Sequence, residues 1–305
     1  MEFAIDARHL RKAYGEIEAV RDVSLTIAPG EVFCLLGPNG AGKTTTVEML
    51  EGHRAPTAGS VRVLGQDPAR RARTLRDRIG VVLQDTALGA DLTVGEVLDM
   101  TARWYAHPRG VDELIELVEL DAKRDTRTDA LSGGQRRRLD LALGLVGSPE
   151  VLFLDEPTTG FDPHARRAAW STLRRLCAEA GMTVLLTTHY MDEAQALADR
   201  VAVMVDGRIV DVGAPEAIGG RDRAPAEIRF GLPAPWTIAD LPALPGAAVS
   251  AEGDGHVLVT TEDGVGAAHL ITGWALERDV RLAQFTVAQP SLEDVYLALT
   301  EASHA

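Results

Sequence analysis

Val32-Phe33-Cys34-Leu35-Leu36-Gly37-Pro38-Asn39-Gly40-Ala41-Gly42-Lys43-Thr44 decides the fold. Five apolar residues in a row, closed at once by Gly37, predict a strand buried on both faces, as in a parallel sheet covered by helices. Residues 37–44 fit G-x-x-x-x-G-K-[ST], and Val47, Met49 and Leu50 behind them open an apolar helix. Strand, glycine-rich turn and helix in that order aim backbone N–H groups at one anion, with the positive end of the helix behind them. The stretch predicts a phosphate-binding loop for a nucleoside triphosphate. In it Lys43 would bridge the β- and γ-phosphates, and the Thr44 hydroxyl would ligate Mg²⁺.

Outward from this loop, residues 78–83, 151–154, 183–186 and 201–205 read as further buried strands. Residues 24–27 and 60–63 read as antiparallel strands near an edge. Between 91 and 146 the pattern is helical, with apolar residues at i, i+3 and i+4 over 93–105 and 112–120. The expected fold class is α/β: a P-loop NTPase core with an antiparallel edge subdomain and an inserted helical subdomain, about 88–148. Gly219-Gly220 marks a linker, so the first domain is expected to span 1–220.

Residues 221–305 have a different texture and predict a small α+β domain. Strands are expected at 227–232, 247–251 and 256–260, the last two joined by a turn at 252–255. A helix over 265–276, a strand over 281–287 and a helix opened by Ser291 complete it. Ser291 can cap that helix with Asp294, and Leu292, Val295, Tyr296 and Leu299 form a stripe that must be buried.

Composition narrows the functions. Of 305 residues 46% are apolar and 25% charged, which excludes a wholly disordered chain. Acidic residues outnumber basic ones 45 to 31, for a net charge of −14. Residues 222–305 hold 12 acidic residues against 4 arginines. That balance argues against a nucleic-acid binder, whose affinity comes from Lys and Arg on phosphates. The run Arg70-Arg71-Ala72-Arg73, continued by Arg76 and Arg78, reads as a solvated helix face. Cys34 and Cys177 are expected to be core thiols of a reducing compartment. No stretch of about 18 apolar residues suggests a membrane span, and residues 1–9 lack the apolar core of a signal peptide. A cytoplasmic protein is expected.

Two more segments carry chemistry. Val151-Leu152-Phe153-Leu154-Asp155-Glu156 puts two carboxylates at the C-terminal end of a buried strand, where open parallel sheets bind ligands. Asp155 can hold Mg²⁺ and Glu156 can polarise the water that attacks the γ-phosphorus. By themselves the pair also fit a helix N-cap before Pro157. Leu131-Ser132-Gly133-Gly134-Gln135 precedes an apolar-rich helix over 136–146, and a Ser and two glycines there make either an anion site or a plain cap.

Taken together, GPNGAGKT, LSGGQ and VLFLDEP resemble the ATP-binding cassette (ABC) ATPases. The resemblance covers residues 1 to about 220 and implies ATP and Mg²⁺ as ligands. It implies ATP binding by Tyr14, Gly37, Pro38, Asn39, Gly40, Ala41, Gly42, Lys43, Thr44 and Thr45, with the Tyr14 ring stacked on adenine. Metal contact would come from Thr44, Gln84 and Asp155. Catalysis would fall to Glu156, His189, Gln84 and Lys43, His189 bonding the γ-phosphate. Ser132, Gly133, Gly134 and Gln135 would touch ATP held by a second copy, and Asp162 would lie in the dimer-contact loop, where Phe161 replaces the commoner Leu.

The runs THYMDEA, residues 188–194, and SLEDVYL, residues 291–297, are similar to bacterial drug-resistance and multidrug exporter ATPases. Such a subunit implies a homodimer of cassettes closing on ATP, and a separate integral-membrane permease on the cytoplasmic face. The rival expectation is a soluble ABC ATPase that remodels a ribosome or a nucleic-acid complex. Residues 222–305 offer no second active site and could assist dimer or permease contact.

Overall fold

β1 (Ile5–Tyr14) and β2 (Ile17–Ile27) form an antiparallel pair, followed by β3 (Val32–Leu36), in which every residue is buried. After the glycine turn come α1 (Lys43–Leu50), β4 (Ala58–Val63), which pairs with β1, the short α2 (Arg73–Arg76) and β5 (Ile79–Val82). Next are α3 (Val94–Ala102), α4 (Val111–Leu117) and α5 (Gly133–Leu145), which pack on one another. Strands and helices then alternate: β6 (Val151–Asp155), α6 (Pro163–Ala180), β7 (Thr183–Thr188), α7 (Met191–Leu197), β8 (Arg200–Val205) and β9 (Arg208–Gly213). This computed structural model describes residues 3–82, 91–159, 161, 163–253 and 255–304, with backbone only at 163, 164, 176, 178–180 and 302–304.

The central sheet has the order β5-β6-β7-β3-β8-β9, parallel except for β9, and β1, β2 and β4 make a separate antiparallel sheet. β3, β6 and β7 are buried throughout, as fits the apolar runs 32–36, 151–154 and 184–186 within them when both faces are covered. One core joins the two sheets: Ile5, Leu10, Val23 and Val63 meet Phe33, Phe153 and Leu185, with Met49 and Leu50 of α1 among them. That packing clamps α1, and therefore the glycine turn in front of it, against the ends of the parallel strands.

The chain divides into Met1–Pro215 and Glu216–Ala305, a junction at 215/216 where the sequence reading placed it after 220. The second unit contains β10 (Ala226–Gly231), β11 (Ala248–Glu252), β12 (His256–Thr261), α8 (Gly264–Glu277), β13 (Ala283–Ala288) and α9 (Leu292–His304), with strand order β11-β12-β10-β13. Ile228, Phe230, Val257 and Val259 form its core with Ile271 and Trp274 of α8. Ser291 caps α9: Asp294 N–H donates to Ser291 Oγ at 3.1 Å and Ser291 N–H to Asp294 Oδ2 at 2.8 Å. Leu292 and Tyr296 are buried. Val295 lies so close to Gly219 that a Cβ there would stand 2.1 Å from Val295 Cγ1. Val295 of the α9 stripe thus packs on the segment just before β10 in its own unit.

Three expectations need correction. The arginine run is not one helix face. Pro68 starts a 3₁₀ turn, Arg71 takes a left-handed φ of 50°, and only four residues of the run are α-helical. Arg71 instead donates to the carbonyls of Gly52 and His53 at 3.3 Å, and Arg78 forks onto Glu150. Cys34 is a core thiol, but Cys177 on α6 is only partly buried. β1, β9 and α6 were not anticipated as elements. β1 alternates charged with apolar residues and slips register between Ala7 and Leu10, so no clean period of two marks it.

One buried acid at the end of α1 makes stability depend on pH. Burial, helped by the nearby charges of Asp155 and Glu48, pushes the Glu51 carboxyl from 4.5 up to about 8. Its Oε2 lies 2.9 Å from His53 Nδ1. A carboxyl whose folded value is raised keeps its proton while the unfolded chain loses it. Its contribution is whole below about pH 4.5 and is lost as pH climbs to about 8, by up to ~1.4 kcal/mol per pH unit. Glu51→Gln should therefore gain little at pH 5 and raise the melting temperature by several degrees at pH 8.5. Equal shifts at both pH values, read by calorimetry, would contradict it.

Candidate functional site

The phosphate loop runs from the buried end of β3 to the first turn of α1. Gly42 caps α1 at φ 100°, where a Cβ would stand 2.4 Å from Ala19 O and 2.9 Å from Met204 Cε. A Cβ on Gly37 would fall 2.4 Å from Met204 O. Glycine is required at both places for the loop to press against β2 and β8. The first N–H groups of α1 have no intrahelical acceptor and point toward the loop's concave side.

The Lys43 amine donates to Gly37 O at 2.8 Å and Pro38 O at 3.1 Å, which fixes it across the loop with a third N–H to spare. Burial lowers the Lys43 pKa, while the charges of Glu156 and Asp155 act in the opposite sense. These carboxylates help to keep the ammonium charged where an anion would meet it.

A chain of hydrogen bonds connects Thr44 to the strand ends beyond it. Thr44 Oγ1 donates to Asp155 Oδ2 at 3.4 Å, and Thr187 Oγ1 donates to Asp155 Oδ1. β6 and β7 pair in parallel with Asp155 opposite Thr187. Glu156 N–H donates to Thr187 O at 3.2 Å and to Thr187 Oγ1 at 3.1 Å. Glu156 itself has φ 48°, a left-handed conformation that costs a non-glycine residue about 1–2 kcal/mol. The surroundings enforce it, and Glu156 Oε1 lies 3.2 Å from His189 Nδ1 while Oε2 accepts from Thr159 Oγ1 at 3.2 Å. Thr44 Oγ1 and Asp155 Oδ2 are hard oxygen donors, a pair suited to Mg²⁺ held chiefly through phosphates and water. Bound there, Mg²⁺ would draw negative charge from the phosphates.

Arg137, the fifth residue of α5, supports this arrangement from below. Buried among apolar neighbours, it donates to Asp155 O at 2.8 Å, Pro157 O at 2.9 Å and Glu156 O at 3.0 Å. These carbonyls belong to the turn that carries both carboxylates. Arg137 and Thr187 were missed by the sequence reading. A signal existed for each: Arg137 is the one arginine of RRR on the same helix face as Leu141 and Gly144, and Thr187 is a hydroxyl at the end of an apolar strand.

The fold therefore brings Lys43, Thr44, Asp155, Glu156 and His189 into one cluster. Tyr14 stands at the end of β1, 41% exposed, with Lys12 Nζ 5.3 Å and Arg54 Cζ 5.5 Å from its ring centre. Ser132 caps α5 and exchanges hydrogen bonds with Gln135, at 3.0 and 3.3 Å. No described hydrogen bond, ion pair or ring contact joins Ser132, Gly133, Gly134 or Gln135 to the phosphate loop of the same chain. Gln84 and Asp162 lie outside the described residues.

Known proteins resemble the chain in both units. The family model "ABC transporter" matches residues 20–159, and "ABC transporter domain-containing protein-like, C-terminal domain" matches 226–291. The Nod factor export ATP-binding protein I of Paraburkholderia xenovorans (strain LB400) is 48% identical over 222 residues, 71% of this chain and 73% of that one. The protein of the same name from Rhizobium sp. (strain N33) is 45% identical over 220 residues, 70% and 72% of the two chains. Among solved structures, cbiO1 from Clostridium perfringens, part of the ABC transporter complex cbiONQ, aligns with TM-score 0.64 at 29% identity, over 72% of this chain and 91% of that one. The ATP-binding cassette MJ0796, in a dimeric post-hydrolysis state bound to ADP and Pi, aligns with TM-score 0.63 at 27% identity, over 69% and 98%. With this phosphate loop, this carboxylate strand and these relatives, the chain belongs to the ABC transporter family, as an ATP-binding and ATP-hydrolysing subunit.

Proposed function

We propose that the chain powers export, working as a head-to-tail pair of copies on a separate integral-membrane permease at the cytoplasmic face of the cell membrane. Among the described residues no helix is long and apolar enough to cross a membrane, and in this reading the permease supplies the conduit. The observation that carries the paired state is the tip of α5. A Cβ on Gly133 or on Gly134 would meet nothing within 4 Å, and neither residue has a left-handed φ. Nothing in the chain itself asks for glycine there. A ligand or chain approaching from outside, onto the free N–H groups of a capped helix start, does ask for it.

In this reading ATP sits on the phosphate loop of one copy and under Ser132, Gly133, Gly134 and Gln135 of the other. Tyr14 stacks on the base, and Thr44 and Asp155 take Mg²⁺. Glu156 orients the attacking water, and Lys43 and His189 stabilise charge on the transferred phosphoryl group. Gln84 and Asp162 complete the metal contact and the dimer loop.

Export is supported by relatives named for Nod factor export, and the runs at 188–194 and 291–297 favour drugs or other hydrophobic compounds as cargo. Co-expression with the hydrophobic product of an adjacent reading frame tests the assignment. The two should co-purify in detergent, and ATP turnover should rise when the permease is supplied in lipid. A chain that turns over ATP but associates with no membrane protein would end the transporter reading.

A further inference from the structure

His189 faces Glu156 across 3.2 Å, a distance at which small rotations of either side chain break the contact. Three residues around α7 hold that geometry. Tyr190, next to His189, lies with its ring centre 4.1 Å from the imidazole and under the Arg166 guanidinium, whose carbon is 4.2 Å from the ring centre. Trp170, one turn further along α6 on the same face as Arg166, donates its Nε1–H to Glu193 Oε1 at 3.0 Å. Thr158, two residues past Glu156, donates its hydroxyl to the same oxygen at 2.7 Å.

Glu193 is fully buried, and its Oε2 has no partner among the described residues. An apolar residue at the start of α7 would avoid the cost of burying a half-satisfied carboxylate. What an apolar residue could not do is accept two hydrogen bonds from different directions. Those two bonds tie α7 to α6 and to the loop that follows the water-orienting carboxylate.

We propose that Glu193 is a positioning residue for hydrolysis: by bridging Thr158 and Trp170 it holds the start of α7, and with it His189, in register with Glu156. It touches neither nucleotide nor water and acts through the placement of His189. The proposal rests on the roles given above to Glu156 and His189.

The test compares turnover, ATP affinity and melting temperature in the full-length chain. Glu193→Ala should lower kcat about tenfold or more and leave the ATP dissociation constant within about twofold, because misplacement of about 1 Å near the chemistry costs rate before it costs binding. Glu193→Gln presents a carbonyl where Oε1 was and should restore kcat to within about threefold of the parent. Adding Thr158→Val to Glu193→Ala should cost nothing further, since both remove one link.

Should Glu193→Ala fail to fold, Thr158→Val and Trp170→Phe each delete one donor while preserving shape, and each should lower kcat severalfold at unchanged affinity. Turnover within twofold of the parent in Glu193→Ala, or in both donor variants, overturns the proposal. So does a Glu193→Gln variant as slow as Glu193→Ala. Glu156→Gln and His189→Ala serve as controls. If they hydrolyse ATP normally, the reading of the site fails. If they are inactive while Glu193→Ala is not, only the role of Glu193 fails.

Discussion

Glu156→Gln is expected to lower ATP turnover by roughly a hundred- to ten-thousand-fold, the range a positioned general base contributes, with ATP affinity little changed. The carboxylate stands at the end of β6 beyond the phosphate loop, bonded to His189 and Thr159 and to no loop atom. Removing its charge therefore leaves the Lys43 cradle intact. Glutamine keeps the length of the side chain, and its carbonyl can still meet His189. The left-handed backbone at 156 is held by Thr187 and Arg137 and not by the carboxylate, so the turn should persist. The measurable consequence is a trapped state: with excess MgATP the variant should elute in size-exclusion chromatography as a dimer, where the parent returns to monomer after hydrolysis. Undiminished turnover, or a variant that stays monomeric with ATP, would remove Glu156 from the role assigned to it.

How much of this site could be read from the residues depends on how local each contact is. The phosphate loop is contiguous, and its strand, turn and helix all lie within one stretch. Its glycines were legible because the loop's geometry follows from the chain's own order. Asp155 and Glu156 were legible for a similar reason, as charges that interrupt an unbroken apolar strand. Thr187 was not, because its importance comes from β7 pairing with β6 in one register, which sets it opposite Asp155. Arg137 lies between the exposed Arg136 and the half-buried Arg138, which pairs with Glu119, and only the packing of α5 under the carboxylate turn distinguishes it. The parallel strands were legible in outline because burial on both faces writes an apolar run. β1 was lost because the partly exposed edge sheet, with its register slips, writes no period. Fold class thus follows from strong local pattern, and the residues that aim the chemistry depend on contacts formed only after folding.

Lys43 is expected to give the second large effect, on binding itself. Lys43→Ala removes a charge held 2.8 and 3.1 Å from two loop carbonyls, at the point where the phosphates must sit. Charge-assisted hydrogen bonds to phosphate are worth about 1.5–3 kcal/mol each, so ATP affinity should fall roughly ten- to a hundred-fold or more. Lys43→Met, which keeps the buried stem, should lose nearly as much, because the loss lies in the charge and not in packing. Calorimetric titration with ATP decides it, and unchanged affinity in both variants would refute the site. The same variant also tests the paired state. In a mixed dimer of a Lys43→Ala chain and a Ser132→Arg chain, one composite site carries both lesions, and the other joins an intact phosphate loop to an intact Ser132. Such mixtures should trap one nucleotide per dimer and hydrolyse ATP, although neither variant alone does. A mixture as inactive as its components would show that Ser132 does not act across the pair, and the open glycines at the tip of α5 would then need a different occupant.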